Sequence, residues 1–150
     1  MFTLSKTPLE KLNLTGNLSF PQSGALSTFA GLVRNHNDGR KVIALEYEAF
    51  EKLAVKEAAR ILREAKQKFS TLETRCFHRV GKLAIGDMAV WVGVRAAHRD
   101  DSFKACRYII DEIKSRLPIW KKEYYTKGDS GWVNCQNFSR AHRNGKSDKK

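Results

Sequence analysis

The chain has 150 residues, of which 41% are hydrophobic and 29% are charged, and its formal net charge is +12. This composition predicts one globular domain that attracts an anionic partner, such as nucleic acid, an acidic protein or a phosphorylated metabolite. No apolar run approaches the roughly 20 residues that cross a bilayer, and the first residues lack the apolar stretch of a signal peptide, so we expect neither a membrane span nor secretion.

The first half of the chain predicts two strands and a helix. Residues 24–34 and 42–49 have the spacing of strands, and residues 35–40 between them are rich in Asn, Asp and Gly, which favours a turn. On the second strand the alternation places three residues on one face: Ile43, Leu45 and Tyr47. Residues 50–69 have the apolar period of a helix. Its buried face is predicted to hold Phe50, Leu53 or Ala54, Ala58, Ile61 or Leu62, Ala65 and Phe69.

The second half predicts two strands, a helix and a short last strand. Residues 72–80 and 88–97 are the two strands, with a turn at Gly86 and Asp87 between them. The second of these is a nearly continuous apolar run, which suits the centre of a sheet. Residues 131–136 form the short last strand.

The helix that precedes the last strand is predicted to begin with Asp101 or Ser102 as its N-cap. It should end near Leu117, because Pro118 disfavours helical angles in the residue before it. Apolar residues at steps of three and four predict one buried face, formed by Phe103, Cys106, Ile110, Ile113 and Leu117.

The order β-β-α-β-β-α-β predicts an α+β fold with a mainly antiparallel sheet. We assign residues 1–136 to one domain, and the polar, basic residues 137–150 predict a flexible tail. The three cysteines are widely spaced and form no CxxC pair. We therefore expect reduced thiols in a cytoplasmic protein, with neither a zinc site nor a disulfide framework.

Basic side chains near strand ends are the first candidate functional groups. Arg34 closes the first strand. His98 and Arg99 lie between the apolar strand and the second helix, where free N–H groups and the positive end of the helix dipole suit an anion. Because each of the three follows a strand end, we predict that they converge on one anion site. Taken alone, each also fits a solvated surface.

Lysines are the second group of candidates. Arg107, Lys114 and Lys121 are seven residues apart, so on a continuous helix they share a face other than the apolar one. Pro118 is expected to place Lys121 past the helix. Such a group suits an anionic ligand and equally a solvated helix. His78, in the middle of a predicted strand, is more typical of a hydrogen-bonded sheet histidine than of a catalyst.

Four segments, taken in order, resemble the large, catalytic subunit of molybdopterin synthase. They are GLVRNHNDG at residues 31–39, HRVGKLAIGD at 78–87, AAHRDDSFKA at 96–105 and IKSRLPIWKKE at 113–123. Each motif is weak alone, but their order is specific, and the resemblance extends over residues 24–136.

The resemblance implies an α/β hammerhead fold and a homodimer of large subunits, each of which binds a small ubiquitin-like subunit to give a heterotetramer. The small subunit ends in Gly-Gly with a C-terminal thiocarboxylate, which enters a pocket on the large subunit. Its sulfur is transferred to cyclic pyranopterin monophosphate, twice in succession, to make the dithiolene of molybdopterin. The resemblance implies no metal, nucleotide or other cofactor for this step.

The resemblance also assigns roles to residues. Lys114 and Lys121 carry over as the catalytic lysines, and Lys121 has two possible roles, general acid/base or transient acyl acceptor. The substrate-binding set is Arg34, His98, Arg99, Lys121, Lys122 and Glu123, of which the last two border the pocket. Arg140, just beyond the last strand, is a further candidate for the anion site of a neighbouring protomer.

Two other classes of function are compatible with parts of the sequence. The high positive charge and the aromatic residues interleaved with lysine over residues 120–125 are compatible with a nucleic-acid-binding module, but no RNA-binding motif is present. A non-catalytic adaptor for a ubiquitin-like partner is the second alternative. The retention of both Lys114 and Lys121 argues against it, because an adaptor does not need them.

Overall fold

Two β-sheets and two long helices build the structure, a computed structural model that describes residues 1–17 and 20–136. The predicted tail, with Arg140, lies outside the described residues. The helices are α1 (Glu51–Lys68) and α2 (Arg99–Arg116), and Leu9–Lys11 form a short 3-10 helix. The strands are β1 (Phe2–Ser5), β2 (Ala25–Leu32), β3 (His36–Asn37), β4 (Arg40–Ala49), β5 (Thr71–Arg79), β6 (Gly81–Ala84), β7 (Met88–Ala96), β8 (Ile119–Tyr125) and β9 (Val133–Asn134).

The first sheet has the strand order β1-β5-β7-β2, and the second has the order β3-β4-β8-β9 with β6 also paired to β4. Only the β1–β5 pair is parallel among the described strands. The predicted α+β class with a mainly antiparallel sheet is therefore confirmed. No helix in the described part of the chain is long and apolar enough to cross a membrane.

The main core lies between the first sheet and the two helices. Alternate residues of β7 face the helices: Val90, Val92 and Val94. Trp91 points to the other side of β7, where it packs with Phe77 and with Leu9 from the N-terminal segment. The strand is thus buried on both faces, which explains why its sequence is almost continuously apolar.

A β-bulge on β4 changes the face predicted for this strand. The register against β8 shifts between Val42 and Ala44, so Ile43 turns outward and is 48% exposed. Leu45 is buried and Tyr47 packs against the core, as predicted. The prediction for Ile43 is wrong because the extra residue of a bulge reverses the alternation on one side of it.

The second helix begins earlier than predicted. His98 is its N-cap, so Asp101 and Ser102 lie inside the helix. The Ser102 hydroxyl is fully buried and donates to the carbonyl of Val94 at 2.8 Å, which fastens the helix to the sheet. Phe103 was predicted to lie in the buried face, but its side chain is 64% exposed. The preceding residue, Ser102, faces the sheet in its place.

The first helix has the predicted core residues at Ala54, Ala58, Ile61, Leu62 and Ala65. Phe50 was predicted to share that buried face, but it precedes the helix as its N-cap residue and is exposed. Leu53 and Ala54 were alternatives for the next buried position; Ala54 is buried and Leu53 is exposed.

Besides the two-residue β3, which lies inside the predicted turn, three strands were missed by the sequence analysis. The N-terminal strand β1 pairs with β5, and β6 pairs with β4. The third, β8, matters most for the site because it holds Lys121, and it pairs with β4 along its whole length. The predicted last strand is shorter than expected, Val133–Asn134. These are short or polar strands whose partners are distant in sequence, so their local pattern is weak.

Candidate active site

A cavity of about 160 Å³ opens between the two sheets and the end of α2. Its walls are mostly apolar, and both predicted catalytic lysines line it. The lining residues are Gly31, Leu32, Tyr47, His78, Ala89, Val90, Ile113, Lys114, Leu117, Ile119, Lys121 and Cys135. Charges in such a narrow apolar space interact more strongly than the same charges in water.

The two lysines reach the cavity from different elements. Lys114 lies in the last turn of α2, with its ammonium 5.9 Å from the centre of the Phe29 ring. The chain then turns at Pro118 into β8, where Lys121 is on the same face as Ile119. The seven-residue spacing therefore does not place the lysines on one helix face. They meet because the strand folds back beside the helix end.

A buried carboxylate holds Lys121. The Lys121 ammonium donates to Glu123 Oε1 at 2.8 Å, and Tyr125 donates to Oε2 at 2.7 Å. The side-chain amide of Asn37 donates to both oxygens, at 3.2 and 3.0 Å. Burial raises the pKa of Glu123, but the hydrogen bonds from Lys121, Tyr125 and Asn37 outweigh it and hold the pKa below its usual value. These contacts favour a positioning role for Glu123.

The same network extends to Arg34. Its guanidinium donates to Asn37 Oδ1 at 3.4 Å, and Asn37 in turn bonds to Glu123. Leu32, two residues before Arg34, lines the cavity. The structure thus brings together Arg34, Lys114, Lys121 and Glu123, four residues that the sequence had assigned to the site.

His98 and Arg99 lie elsewhere. They follow the end of β7 that pairs with the start of β2, since Ala96 is opposite Ala25. Arg34 follows the other end of β2, where Leu32 is opposite Met88. Eight residues of strand separate the two ends, about 25 Å at ~3.3 Å per residue. The predicted convergence of the three residues does not occur within one chain.

Lys122 lies on the opposite face of β8 from Lys121. Its ammonium is 5.0 Å from the ring centre of Trp132 and 5.7 Å from that of Tyr124, and it does not line the cavity. Successive residues of a strand point to opposite faces, so two adjacent lysines cannot both enter one pocket on a regular strand. Arg140 lies outside the described residues.

Among the cavity residues that the sequence analysis did not assign to the site, three carry polar side-chain groups: Tyr47, His78 and Cys135. Burial raises the pKa of the Tyr47 hydroxyl, and it raises that of the Cys135 thiol to about 11 against the opposing charges of Lys121 and Lys114. Both groups are therefore protonated at pH 7. His78 is two residues after Cys76 on β5, so both side chains lie on the same face of the strand. This alternation was the sequence signal that His78 points inward.

Two general features of the site bear on its chemistry. The three cysteines are free thiols, of which Cys76 and Cys106 are buried. Among the described residues no group of three or more His, Cys, Asp or Glu side chains is arranged to hold a metal ion. The polar groups that the cavity offers are the two ammonium groups, a hydroxyl, a thiol and an imidazole.

Comparison with known proteins identifies the family. The family model described as "MoaE protein" matches residues 4–116, well over half of the chain. The chain belongs to the MoaE family. The molybdopterin synthase catalytic subunit of Thermoplasma volcanium is 40% identical over 86% of this chain and 94% of its own length. That of Bacillus subtilis is 37% identical over 98% of this chain and 93% of its own length. The predicted family is confirmed, and the chain is a sulfurtransferase of molybdenum cofactor biosynthesis.

Solved structures confirm the fold. Molybdopterin synthase from Staphylococcus aureus superposes with a TM-score of 0.77 at 35% identity, covering 89% of this chain and 95% of that one. Molybdopterin cofactor biosynthesis protein E from Burkholderia multivorans gives 0.73 at 29% identity, covering 95% of each chain. A complex of subunits 1 and 2 of molybdopterin-converting factor from Helicobacter pylori shares the fold with a TM-score of 0.61 at 21% identity, covering 72% of this chain and 70% of that one.

Replacing Glu123 with glutamine is expected to destabilise the protein by about 1–2 kcal/mol at neutral pH, because charge-assisted hydrogen bonds to a partly screened site are lost. The folded-state pKa of Glu123 lies below its usual 4.5. Its contribution is therefore fully present above about pH 4.5 and is lost as the pH falls through the folded-state pKa. Urea unfolding at pH 7 and at pH 3 should show the difference between parent and variant shrinking in acid.

A matched control is Glu48→Gln, which removes the same charge from an exposed position of the neighbouring strand β4. It should leave stability within about 0.5 kcal/mol of the parent. Equal effects of the two substitutions at pH 7 would contradict the assignment of Glu123 to a buried, stabilising network.

Proposed function

We propose that the cavity between Lys114 and Lys121 is where sulfur passes from the thiocarboxylate C-terminus of a small ubiquitin-like subunit to cyclic pyranopterin monophosphate. The observation that carries the proposal is the convergence of two lysines, from different elements, on one narrow and mostly apolar space. Donor and acceptor are both anions, so their encounter requires cations. Fixed cations in a cavity with little water stabilise the charge that develops during transfer.

The pairing of Lys121 with Glu123 supports an acid/base role for this lysine. An ammonium that donates to a carboxylate at 2.8 Å has a fixed position from which it can donate a proton, and it has no lone pair for attack. In the proposed step the thiocarboxylate sulfur forms a bond to a pterin carbon, an oxygen group leaves that carbon, and Lys121 protonates the leaving oxygen. Water then cleaves the resulting thioester, leaving sulfur on the pterin and a carboxylate on the small subunit.

Glu123 acts in this proposal through Lys121 and not as a ligand of the pterin. Its two oxygens already accept from Lys121, Tyr125 and Asn37. Lys114, which lines the same cavity from the last turn of α2, provides the second positive charge toward the two anions.

The site is completed by a second copy of the chain. His98 and Arg99 are about 25 Å of strand away from Arg34, so they reach the same phosphate only if they come from another protomer. A two-fold dimer supplies this arrangement twice, once for each cavity. Arginine matches the phosphate with two parallel hydrogen bonds, and His98 adds a ring N–H donor.

The small subunit is the proposed partner of each protomer, which gives a heterotetramer around the homodimer. The complex of two subunits of molybdopterin-converting factor from H. pylori, a protein of the same fold, supports a two-subunit enzyme. The net charge of +12 favours an acidic partner. We place the reaction in the cytoplasm, because three free thiols suit a reducing compartment.

The test is a reconstituted assay. The purified chain is mixed with thiocarboxylated small subunit and cyclic pyranopterin monophosphate, and molybdopterin is measured by its oxidised fluorescent derivative. We expect product only with the thiocarboxylate, and none when the small subunit ends in an ordinary carboxylate. Tight binding of the small subunit without product would instead indicate an adaptor.

A further inference from the structure

Strand β2 forms one edge of the first sheet. Its residues pair with β7 on one side, and no strand in the described part of the chain pairs with the other side. An unpaired edge presents N–H and C=O groups that can bond to another chain, so proteins usually protect long edges with charges or proline. The sequence of β2, ALSTFAGL, has neither, and its bulge lies at the last step, between Gly31 and Leu32. The edge is therefore open to a further strand.

Apolar side chains flank this edge. Leu26 and Leu32 of β2 are exposed, and so is Phe103 of α2. The N–H of Ser27 donates to the hydroxyl of Ser102, so the neighbouring Phe103 lies beside the start of the strand. A groove of about 350 Å³ lies between β2 and α2, and Phe103 is one of its lining residues. An open edge with exposed apolar groups is typical of a surface that another protein chain covers.

The divided anion site indicates which chain covers it. Arg34 follows the end of β2. His98 and Arg99 lie at its start, because β7 and β2 are antiparallel. Two copies of β2 that pair antiparallel about a two-fold axis place the start of each strand beside the end of the other. The two halves of the site, separated by about 25 Å of strand within one chain, are then separated by about one strand spacing, ~4.8 Å.

Other pairings do not assemble the site. A parallel pair places start beside start and end beside end, so the two halves stay as far apart as they are within one chain. The opposite edge of the sheet, β1, has only four residues and holds neither half. In the antiparallel pair, by contrast, the exposed Leu32 of each copy lies opposite Ala25 of the other. The second copy then covers a residue that lines the lysine cavity.

We propose that β2 pairs antiparallel with β2 of a second copy, with the two-fold axis near Thr28, and that this pairing brings His98 and Arg99 of that copy to the lysine cavity. The inference rests on the proposed function, because the shared anion site is part of it. It adds the surface through which two copies meet and the direction in which their strands pair. The first sheets of the two copies then form one continuous sheet across the dimer.

The test is disulfide cross-linking of three single substitutions on β2: Leu26→Cys, Thr28→Cys and Ala30→Cys. All three positions are exposed and lie on one face of the strand. A disulfide requires Cα atoms within about 7 Å, and in an antiparallel pair only residues near the axis approach their own copies so closely. Oxidation should therefore give most covalent dimer with Thr28→Cys, less with Ala30→Cys and least with Leu26→Cys. The parent chain, with its three native cysteines, is the control and should give none.

The yields decide between the possible pairings. Equal yields at the three positions indicate a parallel pair, a maximum at Leu26 or Ala30 moves the axis off the middle of the strand, and no cross-link in any variant places the interface elsewhere. Each of these results overturns the inference. The cross-linked Thr28→Cys dimer should also transfer sulfur at about the rate of its reduced form. A loss of turnover that reduction restores would show that this pairing does not assemble the site.

Amide hydrogen exchange of the parent chain is an independent measurement. The N–H groups of β2 that face away from β7 should be protected in the chain alone. Absence of protection overturns the inference, and protection that appears only after the small subunit is added assigns this edge to that partner instead. If the parent chain transfers sulfur but fails these tests, the inference alone is wrong. If Thr28→Cys cross-links but the parent chain makes no molybdopterin, the proposed function is wrong and the pairing stands.

Discussion

Replacing Lys121 with alanine should lower the rate of molybdopterin formation by about 10²–10⁴-fold, the usual loss when a proton donor of the transition state is removed. Lys121 lines the cavity and is held by Glu123 at 2.8 Å, so its truncation removes the positioned acid and leaves the strand pairing of β8 intact. Turnover is measured with saturating thiocarboxylated small subunit, and folding is checked by circular dichroism and thermal unfolding.

The adjacent lysine provides the control. Lys122→Ala removes the same charge one residue away, but from the opposite face of β8, beside Tyr124 and Trp132. We expect its turnover to stay within about threefold of the parent, since surface substitutions away from a site have small effects. If Lys121→Ala turned over at the parental rate, or if both variants lost activity equally, the assigned role of Lys121 would be wrong.

Mixing two inactive variants should restore activity if each site is shared between protomers. Lys121→Ala damages one part of the site and Arg99→Ala the other, which we assign to the partner copy. In an equal mixture half of the dimers are mixed, and each of these has one intact site, so about one quarter of the parental rate should return. The variants are unfolded and refolded together before the assay so that their subunits exchange.

A second mixture serves as the comparison. Arg34 is joined to Lys121 through Asn37 and Glu123 within the same chain. In a mixed dimer one site therefore lacks Lys121 and the other lacks Arg34, so no site is intact. This mixture should stay inactive. Recovery in both mixtures, or in neither, would contradict the arrangement in which Arg99 alone comes from the partner.

Much of the fold could be predicted because its signals are local. The period of α1 predicted its bounds to within one residue at each end, and the continuous apolar run of β7 predicted the central strand. The four motifs, read in order, were enough to predict the family, which the relatives confirm. Local pattern failed at β8, because the residues after Pro118 were expected to lie past the helix but were not assigned to a strand.

The candidate site was predicted as a set of residues and only partly as an arrangement. Arg34, Lys114, Lys121 and Glu123 meet around one cavity and its hydrogen-bond network. Lys122 is excluded from it by the alternation of a strand that the sequence had not revealed. His78 was interpreted as a structural histidine, and its hydrogen bond to Arg79 agrees with that interpretation, although the residue also lines the cavity.

The sequence by itself determined which residues are cationic, where the helices lie and to which family the chain belongs. The tertiary structure decided which of those residues share a space. Lys114 and Lys121 meet because β8 pairs with β4 and so returns beside the end of α2, whereas Arg34 and the His98–Arg99 pair follow opposite ends of the antiparallel β2–β7 pair. Strand pairing joins residues that are distant in sequence, and its direction sets which ends meet, so neither outcome is contained in a local pattern of side chains.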